Sequence, residues 1–460
     1  MAAHPSLDGI PVEAVEIIVN LLAFSDICSL RLTGHELNAK SSQGIFKSHF
    51  RSKKIVMTES ELQTAVYLTQ RREVGGLLEH LTLVGLQTCR TQEDDDIDAV
   101  HILGRPRTTL AERISNAHAG RTRNTQVGLL TSRKQEVDEN DAAKLLGQAM
   151  KNLRLSLTGG SLLSLSLMVD DLSGGKGYKY WSYKGAAIPS ARPRIWEAAA
   201  QLFQTTAHAL GVSELPIESF DIFGGVICCS LACDRIATCL ERVNLSVSLR
   251  GLKHLSISLS QHVQHEPESE EMQALATGER HTKAICQLLQ LCPVLEDLQL
   301  HWYSLWDSNH TTAVAEEVNF FNRVAQSCRF PSLKRWSLKG VSTSESTLLT
   351  FLRQTQLDSV EMEEIHLQLG KFRPVFDYLV EHMQLQHVHL DNLWEEDLIY
   401  FEAPGEPDFP GSEPSGPNAI TRTGADARKH IKGQFIGGYP LDSAPFSNWC
   451  ARREKRYGRL

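Results

Sequence analysis

An α+β fold is predicted, in which a small N-terminal three-helix module precedes an irregular α/β solenoid. Three observations predict it. Short amphipathic segments crowd residues 7–55. A leucine pattern, L-x-x-L-x-L or a near relative, recurs through the second half of the chain. Helical stretches separate its copies, so strand and helix alternate. With 460 residues, the chain has room for one small domain and a long array.

The first helix is expected over residues 10–22, IPVEAVEIIVNLL. Pro11 suits a first turn, where a missing N–H costs nothing, and Glu13 there favours the helix dipole. Apolar residues at 14, 15, 17, 18, 21 and 22 make a wide stripe. Ser25 and Asp26 are candidate caps for a second helix starting near Ile27, with Gly34 as its terminator. A third helix is expected from Leu37 towards Phe46 and Phe50. So small a module has a marginal core, and its apolar stripe is wider than it can cover, so a partner for that face is physically reasonable.

The ordered set Ile10-Pro11-x-Glu13, Ile17-Ile18, Leu22, Asp26-Ile27-x-x-Leu30-Arg31-Leu32, Glu36-Leu37, Phe46 and Phe50 resembles the F-box of fungal F-box proteins. Departures are Ile10 for the usual Leu, Ala14 for a large aliphatic, and Gly34-His35 for Cys-Arg. The small side chain at Ala14 would cost an interface about 1–3 kcal/mol. The resemblance implies a module that docks on a Skp-type adaptor, itself seated on a cullin. The residues it assigns to that interface are Ile10, Pro11, Glu13, Ile17, Ile18, Leu22, Ile27, Leu30 and Leu32.

Residues 56–87 are expected to lead into the repeats: a helix over ELQTAVYLTQ capped by Thr58 or Ser60, then a short strand at 77–83. Residues 88–141 carry Glu93-Asp94-Asp95-Asp96, five arginines between 105 and 123, and few large apolar side chains. Little burial offsets the ordering entropy there, which predicts a largely disordered insertion. Adjacent carboxylates cannot converge on one cation without a shaped loop, so the acidic run is expected to be solvated.

The repeat region is expected over residues 142–402. The pattern stands at 252–257, 295–300, 333–338, 357–362 and 385–390, with looser copies at 151–157, 162–169 and 243–249. Each copy alternates with period two, as a half-buried strand does. Helical stretches are expected at 193–210, 281–292, 311–328, 344–355 and 371–383. The copies resemble an irregular leucine-rich repeat; an α/β layer fold is the other arrangement compatible with them. Alternation puts Lys253, His254, Glu296, Asp297, Lys334, Arg335, His387 and His389 on the face that would meet a substrate, provided the register does not slip by one. Residues 403–460 are a Pro/Gly-rich loop and a basic tail with aromatics at Phe435, Tyr439, Phe446, Trp449 and Tyr457. That tail is either a cap on the last repeat or a recognition arm.

A net charge of −8 gives no global field for nucleic acid. Glu13 and Glu16 interrupt the first apolar stretch, which argues against a signal peptide, and no run of apolar residues is long enough for a membrane span. The ten cysteines form no C-x-x-C pair, which points to a reducing compartment, cytoplasm or nucleus. No nucleophile elbow, zinc-protease motif or phosphate loop is present. Gly174–Gly177 lacks a strand-loop-helix setting; the pairs His262/His265 and His387/His389 lack companion ligands; Cys228, Cys229, Cys233 and Cys239 sit in an apolar stretch. No cofactor, metal or catalytic residue is therefore expected. The expected function is recognition of an unidentified protein substrate for a Skp–cullin–F-box type ubiquitin ligase. The alternative is a non-catalytic repeat scaffold with no ubiquitin role.

Overall fold

Apolar spacing shapes the first fifty residues into helices α1 (Val12–Val19), α2 (Phe24–Leu32), α3 (His35–Ser41) and α4 (Gly44–Arg51). The computed structural model describes residues 9–71, 75–87, 139–157, 160–171, 192–226, 229–260, 279–304, 311–405, 416–435, 452–453 and 456–457. The expected third helix is two. Gln43 is extended and Gly44 has φ +44°, a left-handed conformation that glycine adopts without a Cβ penalty, so the chain turns between α3 and α4. Ser25 and Asp26 are not caps either. Ala23 is the N-cap of α2, and its carbonyl accepts from the N–H groups of Asp26 and Ile27. Val15, Val19, Ile27, Leu37 and Phe46 form a core of their own, with Phe24 stacked on Phe46 and Phe50 tilted against it.

The chain passes straight from α4 into β1 (Ser52–Val56), so the end of the expected helical module is the first strand. Then follow α5 (Glu59–Gln70), β2 (His80–Gln87), α6 (Glu139–Ser156), β3 (Ser164–Asp171), α7 (Arg192–Ser213), β4 (Ser219–Ile222) and β5 (Leu231–Ala232). The chain continues through α8 (Cys233–Arg242), α9 (Ser246–Leu249), β6 (His254–Ser260), α10 (Glu279–Gln290), β7 (Asp297–Trp302) and α11 (Thr311–Ser327). Next are β8 (Arg335–Lys339), β9 (Ser342–Ser344), α12 (Glu345–Leu352), β10 (Ser359–Leu369), α13 (Phe372–His382) and β11 (His387–Trp394). Strands β12 (Ile399–Phe401), β13 (Ala419–Thr423) and β14 (Gly433–Phe435) follow. The described residues thus hold thirteen α-helices and a mostly parallel, twelve-stranded sheet, with β12 and β14 paired apart from it.

Along that sheet the strands lie in chain order, β1-β2-β3-β4-β6-β7-β8-β10-β11, all parallel, and antiparallel β13 closes the end. Two buried columns run across it. One is Leu81, Leu165, Phe220, Leu255, Leu298, Trp336, Val360 and Val388; the next is Leu83, Leu167, Ile222, Ile257, Leu300, Leu338, Met362 and Leu390. Burying each such side chain contributes about 1.5–3 kcal/mol. In all five pattern copies from residue 252 onward, the strand begins two residues after the first leucine, and that leucine (252, 295, 333, 357 or 385) is buried.

The strand entries repeat a backbone arrangement. The Glu218 carbonyl accepts from the N–H groups of Lys253 and His254, Lys253 from Glu296 and Asp297, and Glu296 from Lys334 and Arg335. Lys334 accepts from Asp358 and Ser359, and Asp358 from Gln386 and His387. Each turn is tied to the next by a shared carbonyl, which satisfies backbone groups that would otherwise be buried without partners.

Two looser copies of the pattern fall mostly in helices. Residues 151–157 continue α6, where Leu146, Met150 and Leu153 are buried at helical spacing and Leu155 is exposed. Residues 243–249 enter α9, which buries Leu245 and Leu249 and leaves Val247 outside. A seven-residue window with alternate leucines fits both periods, and only the longer run separates them. Thr58 caps α5, accepting from the Glu61 N–H at 3.4 Å. Of the expected insertion at 88–141, residues 139–141 instead open α6, and residues 88–138, with the acidic run Glu93–Asp96, lie outside the described residues, as do Gly174–Gly177 and the pair His262/His265.

Candidate functional site

Two surfaces have the character of binding sites. The first is on the helical module. In α1, Val15 and Val19 turn into the core, and helical spacing puts Ile17, Ile18 and Leu21 on the opposite side. Ile17 is 65% exposed, Leu21 83% and, at the end of α2, Leu32 89%. Val12 and Ile18 are exposed as well. Large aliphatic side chains this exposed, on and just after one short helix and again at the end of α2, have the character of an interaction surface.

The residues expected at an adaptor interface divide into three groups. Pro11, Glu13, Ile17, Ile18 and Leu32 are exposed. Ile10, Leu22 and Leu30 are half-buried and pack against the module's core. Ile27 is fully buried and offers no surface to a partner, which corrects its assignment. It lies on the inner side of α2, where a run of residues chosen by motif order says nothing about facing. Val12 and Leu21 belong to the exposed surface and were missed, although helical spacing from Ile17 points to Leu21.

The second surface is the polar face of the sheet, formed by the strand residues that alternate with the buried columns. At the strand entries, charges interleave along the row Glu218, Lys253, Glu296, Lys334 and Asp358. Lys253 Nζ lies 2.8 Å from Glu218, and Lys334 Nζ 2.9 Å from Glu296. The hydrogen bonds from Lys253 and Lys334 hold the Glu218 and Glu296 carboxyls below the ordinary range, and Glu218 raises Lys253. In the next row Arg335 Nε lies 2.8 Å from Asp297, and His254 Nδ1 lies 3.6 Å from the same carboxylate. His387 lies 3.6 Å from Glu361, and His389 3.8 Å from Glu363. Of the eight residues expected on this face, His254, Asp297, Arg335, His387 and His389 are strand residues on it, whereas Lys253, Glu296 and Lys334 precede their strands at the entries, because alternation cannot set adjacent residues on one face. Their charges are largely matched within the protein, and they remain partly exposed.

Further along the strands the polar face is covered by the chain's C-terminal segment. Ser258 and His301 are buried, with Ser258 Oγ 3.0 Å from His301 Nδ1. The Tyr457 ring meets His301 edge-on at 5.8 Å between centroids, and its carbonyl accepts from the Ser304 N–H at 2.8 Å. The Tyr457 hydroxyl donates to Glu363 at 2.8 Å, and Arg456 and Lys339 reach the same carboxylate at 2.9 and 2.8 Å. Burial works to raise the Glu363 carboxyl, but Lys339, Arg456 and Tyr457 outweigh it and hold it below the usual range. Buried Glu364 lies 2.6 Å from Arg453 and 2.7 Å from His366. Sequence reasoning missed Glu361, Glu363, Glu364, Lys339 and the docked Arg453. Glu361 and Glu363 occupy outward positions by the same alternation that picked out the histidines.

The part of the tail at 416–435 has a different role: β13 pairs with the last parallel strand, and Ile420 is buried opposite Leu390. Among the described residues no group of three His, Cys, Asp or Glu side chains converges as a metal site would require. No described helix is long and apolar enough to cross a membrane. Cys229, Cys233 and Cys239 are buried thiols, and burial raises those of Cys233 and Cys239, the latter to about 12. No family model matches this chain, and no curated protein matches it.

Proposed function

We propose that this chain is the substrate-recognition subunit of a Skp–cullin–F-box type ubiquitin ligase. Residues 9–51 serve as an F-box and the strand-helix array as a leucine-rich-repeat-like solenoid that holds a protein substrate. The observation that carries this is the exposed aliphatic surface of Ile17, Ile18, Leu21 and Leu32 on a module with its own small core. The described residues leave those side chains exposed, as an adaptor would need. The array is supported by strands in chain order, a constant register of buried columns and the repeated shared carbonyl at the strand entries. Its polar face would receive the substrate.

Catalysis here needs no active-site residue. The receptor raises the local concentration of the substrate's lysines beside a ubiquitin-charged enzyme held elsewhere on the cullin. Rate then follows geometry and the residence time of the substrate.

The test is titration of the full chain with a purified Skp-type adaptor by calorimetry. Ile17→Asp with Leu21→Asp is the variant of choice, because both side chains are exposed and their loss leaves the core intact. A change at Ile10 is less suitable: it packs on that core, and its carbonyl accepts from Lys40 Nζ at 3.0 Å. Sub-micromolar binding, weakened at least about a hundredfold in the double variant, is the expected result. No binding by the full chain would leave a repeat scaffold without a ubiquitin role.

A further inference from the structure

Arg453, Arg456 and Tyr457 occupy a site that is built into the sheet. Glu363 is 5% exposed, and Glu364 has no exposed surface. Two adjacent buried carboxylates are costly unless cations answer them. The fold supplies Lys339 to the first, and His366, stacked on Trp394, to the second. The tail supplies two guanidinium groups, Arg456 to Glu363 and Arg453 to Glu364.

The backbone at this place is also unusual. Glu364 has φ +55° and Asn392, opposite it on the neighbouring strand, φ +50°. Gly340, just past the end of β8 on the other side, has φ +68°. Left-handed residues other than glycine cost about 1–3 kcal/mol each and persist where the surroundings impose them. Glu364 and Asn392 interrupt the alternation of their strands together, without a register shift, since Glu363 pairs with Asp391 and Ile365 with Leu393; this sets a second carboxylate beside the first, between outward Glu363 and inward Ile365. A cap on an apolar edge needs neither the paired carboxylates nor the strained backbone. Paired buried carboxylates held by an imposed backbone suit the binding of guanidinium groups.

We propose that the notch of Glu363 and Glu364 is a binding site for a basic segment of a partner protein that presents two arginines and a tyrosine with the spacing of Arg453, Arg456 and Tyr457, and that the chain's own C-terminal segment is its displaceable resident. The partner's first arginine takes the place of Arg453 on Glu364. Its second arginine and tyrosine take those of Arg456 and Tyr457 on Glu363, with the aromatic ring against His301. Cis occupancy lowers the apparent affinity for the partner by the fraction of molecules whose notch is filled. This rests on the polar face of the sheet being the partner surface, and it does not depend on the adaptor.

A labelled peptide of residues 451–460, ARREKRYGRL, is titrated by fluorescence anisotropy into the full chain and into the full-length variant Arg453→Ala/Arg456→Ala/Tyr457→Ala. The expected result is micromolar binding to the triple variant and at least about tenfold weaker binding to the wild type. Adding Glu363→Gln and Glu364→Gln to the triple variant should abolish it. Absence of binding to a triple variant that melts cooperatively would overturn the proposal, as would equal binding with and without the two carboxylates. If the triple variant does not fold, Tyr457→Phe decides: it loses one hydrogen bond, keeps the ring, and must bind the peptide more tightly than wild type does. Calorimetry with the adaptor on the same proteins keeps the two questions apart, since the notch variants should bind it as wild type does.

Discussion

Two buried titratable side chains, Glu317 on α11 and His301 on β7, respond to pH in opposite senses. Burial pushes the Glu317 carboxyl up to about 7, against the nearby Trp302 indole and the hydrogen bond that Ser304 donates. Burial also brings the His301 imidazole down to about 4, with the Arg456 backbone pulling the other way. A carboxyl raised on folding contributes stability that is full below its ordinary value of 4.5 and is lost as pH rises through 7. An imidazole lowered on folding contributes stability that is full above 6.5 and is lost as pH falls towards 4. Between 4.5 and 6.5 the two slopes cancel. Glu317→Gln removes one of them and should unmask the other. The variant is expected to lose up to about 1.4 kcal/mol per pH unit relative to wild type on acidification through that window, read from denaturant melts. Parallel pH profiles for the two proteins would contradict the cancellation.

At the scale of elements, the vulnerable place is the end of the sheet. A parallel array presents an open strand at its last turn, and an open strand invites pairing with another molecule. Antiparallel β13 closes that edge, with Ile420 buried against Leu390, and His389 lies 2.8 Å from Thr421 Oγ1 across the pair. Ile420→Asp places a charge among apolar neighbours and should loosen the cap. The expected cost is about 2–4 kcal/mol, with concentration-dependent light scattering at temperatures where wild type stays monodisperse. Unchanged scattering in a destabilised variant would mean that β13 is packing and not edge protection.

Over the whole molecule there are two hydrophobic cores of unequal size. Five buried residues hold the helical module, whereas one continuous cluster runs from Leu62 to Ile431. Small cores are marginal, and the module leaves part of its apolar surface in water. Native-state hydrogen exchange should therefore find α1–α4 opening at much lower free energy than β6–β8, with protection of α1 rising when the adaptor is added. Equal protection of the two regions in the free protein would argue that the module borrows stability from the array and is not poised for a partner.

Local pattern determined a good deal of this. The helices from α10 to α13 fall within a few residues of the stretches that apolar spacing marks, and the five later strands begin at a fixed offset from their leading leucines. Alternation likewise identified the polar face, because a strand's period of two is set by the backbone alone. Tertiary structure decided what a short window cannot: that residues 151–156 and 246–249 are helical, that α3 and α4 are separate, and that Ile27 faces inward while Leu21 faces out. It also decided where the C-terminal segment lies. Arg453 is 89 positions from Glu364 in the sequence, and nothing in the composition of either segment announces the pair. Contacts made over such distances depend on register summed across several strands and on the burial of both partners. A sequence carries that information only through the fold it produces.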